Sequence, residues 1–437
     1  MKHYLPALII ILTVVPSFAG DWPHWRGPLY NGSTDEINLP TKWSLTKGLA
    51  WSVALPGPSA ATPIICGDRV FISSTDTDRG TLVALCFDRR HGTRLWQHDV
   101  AQGLSRDVKS NFAAPSPVTD GRRIVFFYSS GDLVCFDVAG QHKWTRNIQQ
   151  DYGTFAFQWT FSSSPLLVDD TLYLQVLQRD VPVRGRGFSD RTNDSYLLAM
   201  DPETGKTRWR HIRSSKARAE SLESFASPIA ATLNRKRQLL IIGGDDVTGH
   251  DLQTGAELWR WGTWNPKRIG HWRHVPSPVV GNGIVLVCAP KGDPVYGIRP
   301  QNTGTLDDKA IAWVSREHVT EISADVPTPA FYKGDFFLLN DLRKHLSRIE
   351  PGTGQIKWTR RTPGKDKYRA SPLAADDKIY IMDHAGEVAV INADNGKILH
   401  TVSMDDPSGR DVVRASICAA YGHLFIRTTD TLYCIGE

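Results

Sequence analysis

Beyond residue 20 the apolar residues of this chain fall in short runs that carry no helical period. Leu85-Cys86-Phe87, Val134-Cys135-Phe136 and Leu424-Phe425-Ile426 are typical, and Gly, Pro, Asn or Asp punctuates the chain between such runs. Short apolar runs bounded by turn residues predict strands. The pattern therefore predicts an all-β protein.

Two phrases repeat along it. The first, Asp-x-x-Thr-Gly-x-x-x-Trp, is best kept from Asp201 to Trp209 and from Asp251 to Trp259. Copies run from Asp88 to Trp96, Asp137 to Trp144 (one residue shorter) and Glu350 to Trp358; the copy from Asn392 ends on His400, and a looser one carries Asn302, Gly304 and, after an insertion, Trp313. Asp accepts turn amides and Gly takes the left-handed conformation that closes a hairpin. The next strand then presents a Trp that can bury about 150–250 Å², which predicts a wedge between neighbouring sheets. The second phrase is Ser or Thr, then Pro, then an apolar strand, at Thr62, Ser116, Ser164, Ser227, Ser277, Thr328 and Ser371; Ser416 keeps the strand and loses the proline. Proline at the first position of a strand costs no ladder bond.

Eight such starts after residue 20 give about 52 residues per unit, near the period of propeller repeats. Each unit reads as four strands, one blade. The last stops at Tyr433-Cys434-Ile435, one strand short, while Leu49-Ala50-Trp51-Ser52-Val53 is a Trp strand with no unit of its own. The expected fold is an eight-bladed β-propeller of four-stranded antiparallel blades with tryptophan docking. It forms one domain over residues 20–437, its ring closed by the N-terminal strand. Seven blades is the alternative count.

Composition agrees. With 41% hydrophobic and 22% charged residues the chain buries a core and is too apolar for disorder. Lys2, the apolar run Leu5 to Val15 and Ser17-Phe18-Ala19 read as a signal peptide over residues 1–19, cleaved before Gly20. The run is short for a bilayer span, so the expectation is export, to the periplasm or outside the cell, without a transmembrane segment. Three of the six cysteines, Cys86, Cys135 and Cys434, occupy equivalent strand positions, hence separate sheets. Free buried thiols are expected, since bridged Cα atoms lie within about 7 Å. The net charge of +5 is mild, and no interleaving of basic and aromatic residues suggests nucleic acid. The basic cluster Lys206, Arg208, Arg210, Arg213, Lys216 and Arg218 reads first as a solvated sheet face and second as a surface for an anionic partner.

The Trp phrase resembles the tryptophan-docking repeat of the pyrroloquinoline-quinone-like (PQQ-like) propellers. That family joins PQQ-dependent alcohol dehydrogenases to BamB, a non-catalytic protein of outer-membrane assembly. The opening Asp21-Trp-Pro-His-Trp-Arg-Gly-Pro28 is similar to the start of PQQ-like proteins abundant in planctomycetes. The resemblance speaks for architecture, since the repeated residues are structural.

Propeller sites gather at the central channel, at the loops that enter the inner strands. Here those loops carry Asn111 and Phe112; Trp159 and Phe161; Glu223 and Phe225; His271, Trp272, Arg273 and His274; Asp325; Tyr368 and Arg369; Asp411 and Arg414. Polar groups among aromatic walls suit a ligand pocket. The candidate binding residues are Trp159, Glu223, Trp272, His274, Asp325, Arg369 and Arg414. The resemblance implies PQQ over a Trp floor (Trp272 or Trp159), Ca²⁺ held by Glu223, an Asp base at Asp325 and an Arg near the quinone at Arg369. Against it, the chain lacks the adjacent Cys-Cys pair and the cytochrome segment of many family enzymes.

Other chemistry finds less. No serine-nucleophile elbow, zinc helix, phosphate loop or dinucleotide fingerprint is present. His271 and His274 read as loop histidines before they read as metal ligands, and Asp76-Thr-Asp78-Arg-Gly80 as a plain turn. The insertion between Gln175 and Ser195, with Arg179, Arg184, Arg186, Arg191 and Phe188, is either a clamp for an acidic peptide or glycan or a mobile loop. The expectation is a monomeric, non-catalytic binding or assembly scaffold with a protein or cell-envelope partner, no catalytic residues, no metal and no cofactor. The alternative is a PQQ- and Ca²⁺-dependent alcohol or sugar dehydrogenase; a carbohydrate-binding propeller is a lesser third.

Overall fold

Apolar runs and Trp phrases assemble into eight antiparallel sheets in the computed structural model, which describes residues 20–104, 107, 109–301, 303–404 and 413–436. Residues 1–19, read from the sequence as a signal peptide, and Asn302 and Asp411 lie outside the described residues. Blades one to seven span residues 64–102, 118–147, 166–212, 229–261, 279–314, 330–361 and 373–403. Blade eight combines Cys418–Ala420, His423–Arg427 and Thr431–Ile435 with Leu49–Ala54 as its outer strand. That strand pairs antiparallel with the last one, Trp51 opposite Cys434 and Val53 opposite Leu432. The N-terminus thus closes the ring, and the count is eight.

The Trp phrase works between blades. The Trp51 indole N–H donates to Arg89 O at 2.8 Å, and Trp144, Trp209 and Trp358 donate likewise to carbonyls of Pro202, Leu252 and Ala393. Each ring lies on the turn glycine of the next blade. A Cβ on Gly92 would stand 2.7 Å from Trp51, and Gly205, Gly255 and Gly396 meet Trp144, Trp209 and Trp358 equally closely. Glycine is required there twice, for its positive φ and for the face of the neighbouring indole.

Two copies depart from this. Blade five's phrase is broken by its insertion, and Gly304–Thr305 instead joins blade four as a fifth, parallel strand beside Trp259. Trp259 accordingly turns inward and donates to Gln238 Oε1 at 2.6 Å. In blade seven His400 takes the Trp position and bonds Trp43 O at 3.0 Å.

Part of the basic cluster is internal. Arg213 is buried and donates to Thr248 Oγ1, Gly243 O and Asp246 O, riveting blade three to blade four. Burial pulls its guanidinium down to about 10. Arg208 and Arg210 pair with Asp201 and Asp194. The surface reading of this cluster therefore fails for Arg213, because its long side chain reaches carbonyls left open between two blades. All six cysteines are free thiols, five of them buried. Asp76 holds a plain turn by accepting from Arg79 N and Nε.

Candidate functional site

The Ser or Thr that opens each inner strand bonds to its neighbour around the channel. Thr62 N–H donates to Ser116 Oγ at 2.9 Å, Ser116 to Ser164 at 3.0 Å, Ser164 to Ser227 at 2.8 Å and Ser227 to Ser277 at 2.9 Å. Ser277 continues to Thr328, Thr328 to Ser371 and Ser371 to Ser416, and Ser416 N–H donates back to Thr62 Oγ1 at 3.1 Å. Eight blades thus share a closed circle of eight hydrogen bonds. Each hydroxyl oxygen accepts one backbone N–H and retains its O–H donor and a second lone pair.

Five of these serines, Ser116, Ser164, Ser227, Ser371 and Ser416, line a cavity of about 170 Å³. Its aromatic surface is Trp25, Trp159 and Phe225, and its charged side chains are Lys109, Arg273, Arg369 and Arg414. Trp25 comes from the segment Asp21–Pro28. Asp21 accepts from Gly67 N and the Tyr421 hydroxyl, Trp22 pairs with Ile65, and Arg26 donates to Pro329 O at 2.8 Å and Pro372 O at 3.2 Å. Pro329 and Pro372 follow the ring residues along their strands, whereas the four cations precede them. Trp25 is therefore the floor of a cup and the cations form its rim.

Trp159 is the wall. Its Nε1 donates to Glu220 at 3.2 Å, and Lys109 and Arg184 sit over its ring at 5.4 and 5.1 Å. Arg184 belongs to the blade-three insertion, which is pinned to the mouth. Val183 and Arg186 close a two-residue hairpin in which Arg184 and Gly185 both have positive φ, as a type I′ turn requires. Arg186 donates to Phe157 O and Arg179 to Glu223 Oε1 at 2.6 Å, while Arg191 stacks on Phe188 at 3.8 Å.

Of the candidates drawn from the sequence, Trp159, Arg369 and Arg414 lie on the cup, while Glu223, Trp272, His274 and Asp325 lie behind it. Glu223 is fully buried and accepts from Arg179 and from Gln158 N at 3.0 Å. Burial pushes its carboxyl up to about 7, against the pull of Arg179. Asp325 is buried, accepts Lys291 N at 2.9 Å and stands 3.7 Å from Arg369, whose closer partner is Asp341 at 2.6 Å. His274 is buried beside Trp264, and burial holds its imidazole down at about 3, hence neutral. Trp272 packs on the core of blade four, and His271 is exposed.

Lys109, Trp25 and the hydroxyl ring were not among the sequence candidates. Lys109 stands two residues before Asn111, inside the same entry loop, and Trp25 sits in a motif noted only for its resemblance. Burial lowers the Lys109 pKa, and so do Arg273, Arg369, Arg414 and Lys367. That is the mark of cations converging on one place.

The lining does not suit a calcium-bound quinone. Ca²⁺ takes six to eight oxygen ligands, several of them carboxylates. Among the described residues every charged side chain on this lining is a cation, and Glu223 is occupied by a guanidinium. Among the described residues no group of three His, Cys, Asp or Glu is placed to hold a metal.

Ring, cup and blades together define a channel-bearing propeller of the PQQ-like class. The family model described as outer membrane protein assembly factor BamB matches residues 41–176, 154–328 and 305–433, and the chain belongs to that family. No curated protein matches its sequence. Among solved structures it is similar to BamB from Moraxella catarrhalis (15% identity, 89% of this chain and 97% of that one, TM-score 0.59). It is also similar to a europium-containing methanol dehydrogenase (10%, 96% and 98%, TM-score 0.70). A quinohemoprotein alcohol dehydrogenase from Comamonas testosteroni gives 13% identity over 96% and 81%, with TM-score 0.62. At these identities the likeness is one of fold.

Proposed function

We propose that this chain is a non-catalytic binding scaffold of the cell envelope, exported and monomeric, that holds a protein partner at the mouth of its channel. One observation carries the reading: the cup presents aromatic rings, hydroxyls and cations to a guest, while Glu223 and Asp325, the carboxylates a quinone dehydrogenase would use, are turned inward into ion pairs. Membership of the BamB family agrees with a partner-binding role. The apolar leader supports export, and among the described residues no helix is long and apolar enough to cross a membrane.

The test is turnover. The purified chain is incubated with PQQ and Ca²⁺, then offered ethanol, methanol or glucose with a redox dye. The proposal expects dye reduction at the rate of a protein-free control. Sustained, substrate-dependent reduction would establish the dehydrogenase instead.

A further inference from the structure

We infer that the guest of the cup is an acidic segment of the partner protein, with two or more carboxylates set against the rim cations and an apolar side chain set against Trp25 and Trp159. This rests on the scaffold reading of the same site.

The sign of the charge comes first. Arg273 and Arg369 are held in place by Glu220 and Asp341, at 3.3 and 2.6 Å. Among the described residues Lys109 and Arg184 have no carboxylate partner, and both are exposed. Asp107, the acid next in sequence to this rim, is spent on Thr160 N and Oγ1. Among the described residues, the mouth therefore offers positive charge that its carboxylates leave uncompensated.

The hydroxyl ring points the same way. Its eight oxygens already accept backbone N–H groups, and among the described residues no protein acceptor takes any of the eight O–H donors. Each keeps that O–H and one lone pair, and the eight O–H groups suit a guest that presents acceptors. Carboxylate oxygens are such a guest.

Size separates a peptide from a small polyacid. Trp25 forms the floor, so a guest is expected to reach the ring serines from the rim side. The cavity holds about 170 Å³, yet Arg184 lies beyond its lining, over the Trp159 ring. A guest that engages both the ring serines and Arg184 extends out of the cup, as a chain segment does.

The test uses the whole mature chain and a short labelled peptide alternating Asp or Glu with Phe, its Asn/Gln counterpart, and benzenetricarboxylate as a small polyacid. The acidic peptide is expected to bind in the micromolar range and to weaken about tenfold between about 50 and 300 mM NaCl. The Lys109→Ala/Arg184→Ala double variant is expected to weaken it about tenfold with an unchanged melting temperature. Equal binding of the amide peptide overturns the inference. So does a double variant that binds like the parent, or tight binding of the tricarboxylate with none of the peptide. Peptide failure without quinone-dependent dye reduction leaves the scaffold reading in place; dye reduction removes both.

Discussion

The hydroxyl of Thr62 accepts the backbone N–H of Ser416 at 3.1 Å, a bond that joins the first blade to the last and completes the circle around the channel. Thr62 and Thr328 share this role with six serines, so the oxygen is what matters at the position. Ser227→Ala would leave the buried Ser164 N–H without its acceptor, at a cost of about 1–3 kcal/mol. Ser227→Thr keeps the oxygen and should unfold near the parent's denaturant midpoint.

Ring closure also depends on the Trp51 wedge. Trp51→Ala removes an indole that is almost wholly buried against Gly92 and bonded to Arg89 O, and should cost about 3–5 kcal/mol. Gly92→Ala should be costly as well, since its Cβ would meet Trp51. Gly67, also at positive φ but with open space beside it, is the control. Gly67→Ala should cost only the backbone strain, about 1 kcal/mol. Thermal melts of the three variants decide this.

The blade-three insertion contains arginines of two kinds. Arg179→Ala leaves Glu223 buried without its counter-charge and should destabilise the fold by about 3 kcal/mol. Arg191, exposed and stacked on Phe188, should tolerate alanine with little change. Equal melting temperatures for the two variants would show that the Arg179–Glu223 pair does not hold the insertion down.

Acid should weaken the fold through its buried histidines. His250 is bonded to Gly255 O and Thr248 Oγ1, and burial holds its imidazole down at about 3 in the folded chain. The unfolded chain takes up this proton near pH 6.5. The contribution of His250 is thus complete above that pH and is lost as pH falls toward 3. A His250→Gln variant should lose less of its melting temperature than the parent between about pH 6.5 and 4.

Much of the fold was legible because two phrases recur with their spacing intact, and because Trp51 stood without a unit while the last unit lacked a strand. What stayed hidden has physical causes. The proline of the second phrase explained itself locally, whereas its serine acts across a blade boundary, on an amide 43 to 63 residues away at Thr328 and Ser164. Trp259 follows the phrase perfectly and still turns inward, because its docking partner was displaced by the insertion of blade five. The cup draws on entry loops from several blades and on the N-terminal segment, so listing loop residues found Trp159, Phe225, Arg273, Arg369 and Arg414 but passed over Lys109 and Trp25. Glu223 read as a free acid because its partner, Arg179, lies 44 residues upstream in an insertion.

The central claim is that the channel mouth binds without redox chemistry, and calorimetric titration of the mature protein with PQQ, with and without millimolar Ca²⁺, tests it most directly. The cationic cup predicts that any heat released on quinone binding is indifferent to Ca²⁺ and falls with added salt, as for any flat polyanion. Tight binding that requires Ca²⁺ and disappears in Asp325→Ala would contradict it, and would place a metal-dependent quinone site where the described lining carries only cations.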